Sequence, residues 1–213
     1  MLDFYFIGTS GKVPQLHRRL TSAMLRAEGD ITLIDAGEGT QLGISKSGWS
    51  AKSISTILIT HLHADHVLGL AGVLLQIHNS GRTDRIIIAG PKGVKRYVNS
   101  LYLVLPTLKY PIYFIELTGD SDFILANTLE IDAFKLNHSV SCYGYSFYFR
   151  HFGKFNVEKA KTVPKRSWGE LSKGFATRDF NGVKVKNDQI LGPERKGIKV
   201  TYVTDTRPTE SIV

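Results

Sequence analysis

The sequence predicts an α/β layered fold. Three observations carry that expectation: short β-branched and apolar runs recur between glycine-rich turns, longer apolar segments of helical length separate several of them, and no repeat of fixed period runs through the chain. Leu2 to Ile7 reads as a strand closed by the turn Gly8-Thr9-Ser10-Gly11, Ser22 to Arg26 as a second strand, and Ile31 to Asp35 as a third. Gly37-Glu38-Gly39-Thr40 then opens a short helix for which Thr40 is the expected cap. Ser55 to Thr60 is a β-branched strand, and Val67 to His78 is the helix that follows it, with Gly69 and Gly72 permitting close packing. Asp84 to Ala89 reads as a strand ended by Gly90-Pro91-Lys92-Gly93, and Val94 to Leu105 as helix. Tyr110 to Glu116, Thr128 to Leu136 and Tyr143 to Phe149 complete the series of strands.

The chain has 213 residues, 42% of them hydrophobic, which suffices for one substantial core, so a single domain over residues 1–213 is expected. Lys and Arg number 27 against 19 Asp and Glu, a formal charge of +8. That balance favours a polyanionic partner without choosing between nucleic acid and an acidic membrane surface. Cys142 is the only cysteine, which excludes an intramolecular disulfide, fits a reducing cytoplasm, and leaves any metal to His and Asp. The opening residues lack the pattern of a secretory signal, and no stretch reaches the roughly 18 apolar residues that a membrane helix needs. A cytoplasmic protein without a membrane partner is therefore expected.

Composition shifts after Arg150. The run from Asn156 to Gly174 is basic and poorly periodic, with Trp168 as its one large aromatic. It reads either as a solvated excursion from the core or as an extended positive arm over residues 152–182. On the second reading Lys165, Arg166, Trp168 and Lys173 grip a phosphate backbone. The chain returns through Val183-Lys184-Val185 to the strand pattern Ile198 to Val203, which ends in Thr204-Asp205-Thr206-Arg207.

The chemistry centres on His61-Leu62-His63-Ala64-Asp65-His66, in which four of six residues can ligate a divalent cation. Such crowding of imidazoles and a carboxylate demands a common counter-charge. With period two on an extended backbone, His61 and His63 point the same way and can share one ion, while Asp65 and His66 can turn to a second. His138 and Asp205 each end a strand on the edge where His61 emerges; alone, the first is ordinary surface and the second a turn cap, but their shared placement makes both candidate ligands. Asp35 ends an apolar strand and is placed either to orient an imidazole or to shape a turn. An N/O donor set without thiolate suits zinc at two sites, with manganese as the alternative. Two ions bridged by Asp205 would activate a water for attack on a phosphodiester.

These segments together resemble tRNase Z, the tRNA 3′-processing endonuclease family of the metallo-β-lactamase superfamily. The resemblance rests on Phe6-Ile7-Gly8-Thr9-Ser10-Gly11 with Arg19-Leu20-Thr21-Ser22, on Asp35-Ala36-Gly37-Glu38-Gly39-Thr40-Gln41, and on the histidine box with Gly69-Leu70. It continues through Gly90-Pro91-Lys92-Gly93, Asn137-His138-Ser139 with Tyr143-Gly144-Tyr145, and Thr204-Asp205-Thr206-Arg207. The resemblance implies a metallo-β-lactamase-like αββα sandwich. It further implies one zinc held by His61, His63 and His138, another by Asp65 and His66, with Asp205 bridging and Asp65 also meeting the attacking water. It implies a homodimer whose exosite arm clamps precursor tRNA; the basic run falls where that arm belongs, with Pro164-Lys165-Arg166-Ser167-Trp168 in place of the usual Gly-Pro signature. Members of the family continue past the Asp-Thr-Arg segment to further metal-binding and catalytic histidines, whereas no histidine follows His151 here. The expectation is thus a sandwich whose second half is truncated or supplied by a complementary chain.

Three functions stand against one another at this point: a metal-dependent endoribonuclease removing the 3′ trailer of precursor tRNA, a hydrolase of small phosphodiesters or sulfate esters, and a catalytically incomplete tRNA-binding subunit. Salt dependence separates the first from the second, because phosphate contacts to a large RNA make binding steeply salt-sensitive. Metal stoichiometry separates the first from the third.

Overall fold

The computed structural model describes residues 2–126, 129–151, 153–161, 163–172, 177–178, 184–185, 190–193 and 195–212. The chain divides into two compact units, one formed by residues 1–147 and 201–213, the other by residues 148–200.

The first unit is built on a six-stranded sheet. Strands β1 (Leu2–Gly8), β2 (Ser22–Ala27) and β3 (Asp30–Ile34) pair antiparallel; β4 (Ile54–Leu58), β5 (Ile86–Pro91) and β6 (Ile112–Leu117) continue the sheet in parallel, in the order β1-β2-β3-β4-β5-β6. All five residues of β4 are buried, as a parallel strand covered on both faces requires. One face is covered by α1 (Thr40–Ser47), α3 (Leu70–Asn79) and α4 (Val94–Leu101), whose Ile44, Val73, Leu74, Ile77, Val94 and Val98 join Leu33, Ile57, Ile86 and Ile88 in one buried cluster. The other face meets the part of a second sheet that lies in this unit; that sheet has the order β12-β9-β8-β7 and is made of β7 (Ser121–Ala126), β8 (Leu129–Leu136), β9 (Cys142–His151) and β12 (Arg195–Tyr202), of which residues 142–147 of β9 and 201–202 of β12 belong to the first unit. Tyr143, Tyr145 and Phe147 alternate along β9 and are buried against the first sheet, where the Tyr145 hydroxyl donates to the Ile59 carbonyl at 2.7 Å. Helices, sheet and facing sheet are three of the four layers of the αββα metallo-β-lactamase-like sandwich.

Several boundaries differ from the sequence expectation for local reasons. Thr40 is the first helical residue rather than the cap: Gly39 takes φ 84° as the N-cap, and the Thr40 hydroxyl donates back to the Gly37 carbonyl. The expected helix from Val67 to His78 is broken into α2 (Ala64–Val67) and α3, because the Gly69 amide donates to the Ala36 carbonyl at 2.8 Å instead of continuing the helical ladder. Strand β7 was not expected; its Phe123-Ile124-Leu125 core is short and follows the turn at Gly119.

In the second unit the segment expected as an extended arm contains two short helices, α5 (Val157–Ala160) and α6 (Trp168–Ser172), and a two-residue strand β10 (Thr177–Arg178), which pairs antiparallel with β11 (Lys184–Val185). Ala160, Val163, Leu171 and Ile190 form a small core, which Phe155 and Trp168 close. Among the described helices none is long and apolar enough to cross a membrane.

The crossing of Gly69 over Gly37 fixes the turn that carries the histidine box. A Cβ on Gly69 would stand 2.1 Å from the Gly37 carbonyl oxygen, and one on Gly37 would stand 2.4 Å from the Asp65 carbonyl oxygen. Gly69→Ala is expected to destabilise the protein by about 1–3 kcal/mol through overpacking, read as a lower urea midpoint at unchanged slope. An unchanged midpoint would show that the turn relaxes freely.

Candidate metal centre

The centre is assembled where β4 ends. Beyond Leu58 the chain stays extended, held by the bond from the Ile59 amide to the Ala89 carbonyl and by that from the Tyr143 amide to the Thr60 carbonyl. This delivers His61 fully buried, and His63 then stands as the extended N-cap of α2. His61 Nε2 lies 3.0 Å from His63 Nδ1, and His138 Nε2 lies 3.3 Å from the same atom. One imidazole nitrogen carries either a single proton or a single lone pair, so His63 Nδ1 is poorly served as a hydrogen-bonding hub for two rings. Nitrogens bound about 2.0–2.1 Å from one tetrahedral zinc stand about 3.3–3.4 Å apart, close to the separations found. Asp205 completes the set: one donor atom from each of His61, His63, His138 and Asp205 lies within 4.8 Å of every other.

Two remote segments are stitched together to make this happen. Asn137, which precedes His138 at the end of β8, accepts from the Arg207 amide at 2.9 Å and donates through its own amide to the Thr206 hydroxyl at 3.1 Å. Asp205 is thereby brought beside His138 although 67 positions separate them in sequence.

His66 and Asp65 face the same carboxylate from the other side. His66 Nε2 is 3.6 Å from Asp205 Oδ2 and 3.8 Å from Asp65 Oδ2, and it is buried without a hydrogen-bond partner among the described residues. The Asp65 carboxylate is pinned by the Lys12 backbone amide at 2.8 Å. An orphaned buried imidazole nitrogen between two carboxylates is the position a second divalent ion fits, with Asp205 facing both places.

Asp35 sets the chemistry of the rings. It is fully buried at φ 55°, and its carboxylate accepts from the Thr60 amide, the Thr60 hydroxyl and His66 Nδ1, each at 2.8 Å. With the proton of His66 on Nδ1, the lone pair lies on Nε2, facing the two carboxylates. The Thr60 hydroxyl spends its proton on Asp35, so toward His61 Nδ1, 3.1 Å away, it can only accept. That places the His61 lone pair on Nε2 as well.

Burial, with the charges of His66 and His63, pushes His61 down to about 4, which keeps it a neutral donor at physiological pH. Burial opposes the charged form of His66, yet its hydrogen bond to Asp35 and the charges of Asp35, Asp205 and Asp65 raise it overall. The field that favours a proton there equally favours a cation. Burial raises Asp35, and although burial also works against Asp65 and Asp205, the Lys12 amide holds the first below the usual carboxylate range and the charge of His66 the second.

The arm candidates lie in the second unit. Lys165 and Arg166 are exposed, while the Trp168 indole donates to the Ala160 and Val163 carbonyls at 3.2 and 3.1 Å and serves the small core, with Lys165 Nζ 6.0 Å from its ring centroid. Lys173 lies outside the described residues. Three participants were invisible as site residues in the sequence: the Thr60 hydroxyl, the Lys12 amide and the Asn137 backbone. None carries a metal-ligand signature, and the last two act only through main-chain groups.

A histidine and aspartate cluster at the carboxyl ends of the strands of such a sandwich is that of a metal-dependent hydrolase of the metallo-β-lactamase superfamily. Residues 2–154 match the family described as Anti-Pycsar protein Apyc1. The whole chain is 45% identical over 214 residues to ribonuclease Z of Lachnospira eligens, covering 70% of that protein, and 45% identical over 215 residues to ribonuclease Z of Agathobacter rectalis, covering 71%. Among solved structures, human tRNase Z, short form, superposes with a TM-score of 0.62 at 30% identity, over 69% of this chain and 64% of that one. The chain belongs to the family of that description and, aligned along its full length, to the ribonuclease Z family.

Two outcomes follow from this geometry. Asp35→Asn is expected to lower zinc affinity about 10- to 100-fold, measured by competition with a chromogenic chelator, because the tautomers of His66 and His61 lose their anchor; unchanged affinity would show the carboxylate to be a turn residue only. His63→Ala, which removes the nitrogen shared by its two neighbours, is expected to abolish binding of the ion held with His61 and His138. Elemental analysis of the purified variant checks this, and full zinc content would refute the assignment.

Proposed function

We propose that this protein cuts the 3′ trailer from precursor tRNA, with His61, His63, His138 and Asp205 holding one divalent ion and Asp65, His66 and Asp205 a second. The observation that carries the reading is the coincidence of this donor set with full-length similarity to proteins named ribonuclease Z. Zinc or manganese at these positions would supply Lewis acidity at the phosphoryl group and make a water acidic enough to attack at neutral pH. The chain's own part is to hold the donors neutral and oriented, through Asp35 and Thr60, and to keep Asp65 placed to meet the attacking water, through the Lys12 amide. The net charge of +8 supports a polyanionic substrate, and exposed Lys165 and Arg166 are suited to bind the RNA backbone. On this reading the protein works in the cytoplasm as a homodimer, and residues 152–182 are its exosite arm.

The decisive experiment is incubation of the purified chain with a 3′-extended precursor tRNA, with added zinc or manganese and with a chelator control. Cutting beyond the acceptor stem that stops with the chelator is expected. Intact precursor under all conditions, with folded and metal-loaded protein, would overturn the proposal in favour of a subunit that binds without cutting. Replacing Lys165 and Arg166 together by Ala is expected to weaken precursor binding and to flatten its dependence on log salt by roughly 1.5, two phosphate contacts being lost. Hydrolysis of a small chromogenic phosphodiester should fall far less; equal losses on both substrates would remove the arm from RNA recognition.

A further inference from the structure

Beside the metal centre, and wholly within the first unit, lies a cleft of about 490 Å³ lined by Asn137, His138, Ser139, Asp205, Thr206 and Arg207. His138 and Asp205 belong to the donor set, so the cleft opens directly from it. Its remaining side chains are one guanidinium, two hydroxyls and one amide, and its only carboxylate is engaged with the histidine cluster. Arg207 is exposed, and among the described residues no ion pair or hydrogen bond holds its guanidinium. Its backbone is not free: the Arg207 amide donates to the Asn137 carbonyl, the Arg207 carbonyl accepts from the Thr206 hydroxyl at 2.7 Å, and the Asn137 amide donates to that same hydroxyl. These hydrogen bonds fix the main chain at Arg207, and its side chain, lining the same cleft as Asp205, presents a cation with unspent donors there. A planar guanidinium with parallel N–H donors matches a phosphodiester better than any other side chain does.

We infer that Arg207 is a substrate-positioning residue, which, with the Ser139 hydroxyl, holds the phosphate neighbouring the scissile one as a single RNA strand leaves the metal centre along this cleft. The inference rests on the proposed nuclease function for the word scissile, but its anion site stands on geometry alone. Because Arg207 and Asp205 share one short segment, a structural role through Asp205 has to be told apart from a contact with substrate.

The test uses a single-stranded oligoribonucleotide of trailer length, its binding followed by fluorescence anisotropy across a salt series in the presence of chelator, so that no cleavage intervenes. Arg207→Ala is expected to weaken binding about tenfold and to lower the slope of log affinity against log salt by about 0.7, one phosphate contact to a single strand. Arg207→Lys should restore the slope, since the charge returns, while recovering only part of the affinity, since the paired donors do not. Zinc content of both variants, measured in parallel, should equal that of the wild type. With precursor tRNA as substrate, Arg207→Ala should raise KM more than it lowers kcat. Unchanged affinity and slope, no binding by the wild type, or loss of zinc in both variants would overturn the inference. Wild-type binding that depends on Arg207 without any cleavage of precursor tRNA would instead overturn the nuclease proposal and leave this anion site standing.

Discussion

The buried carboxylate of Asp35 is the constraint on which the centre depends. A carboxylate without solvent is costly unless it is well hydrogen-bonded, and this one accepts from the Thr60 amide, the Thr60 hydroxyl and His66 Nδ1. Each of those bonds joins the end of β3 to the chain leaving β4, so the two strands cannot slide without stranding a charge. The left-handed backbone of Asp35, unusual for a residue with a side chain, costs about 1–3 kcal/mol. Its amide donates a hydrogen bond to the Leu58 carbonyl and its carbonyl accepts one from the Ser22 hydroxyl, which help hold it there. Strain and burial are concentrated in the residue that decides which nitrogen of His66 and His61 is free.

Around that fixed point the fold solves a problem of convergence. His61 and His63 come from one strand end, His138 from the second sheet, and Asp205 from the segment after β12. Packing two sheets face to face brings their strand ends to a common edge, and the Asn137 backbone ties the two latecomers together. The turn of the histidine box can lie close against Leu20 and the Gly37 loop only because glycines stand at 37 and 69. Close backbone approach, rather than loop flexibility, is what those two positions provide.

Electrostatics follows the same layout. The negative groups Asp35, Asp65 and Asp205 face the imidazoles, and Arg207 brings a positive charge to the cleft that His138 and Asp205 also line. A site that concentrates cations by its carboxylates and polyanions by its surroundings is suited to joining a divalent metal and a phosphodiester.

The histidine box, the strands around it and the α/β layering were legible from the sequence, because four ligand types within six residues and β-branched runs between glycines are local signals. His138 and Asp205 were legible only as strand-end residues of the right type; that their donor atoms lie within 4.8 Å of those of His61 and His63 is a property of sheet packing and of one backbone bridge. The break at Gly69, the strand β7 and the small core and helices of the basic run were not legible, since each is decided by contacts between residues far apart in the chain. Residue identity by itself determined which atoms can ligate and which charges are available. Tertiary structure decided which lone pairs face one another, because tautomer, distance and burial are set by partners that the linear order does not bring together.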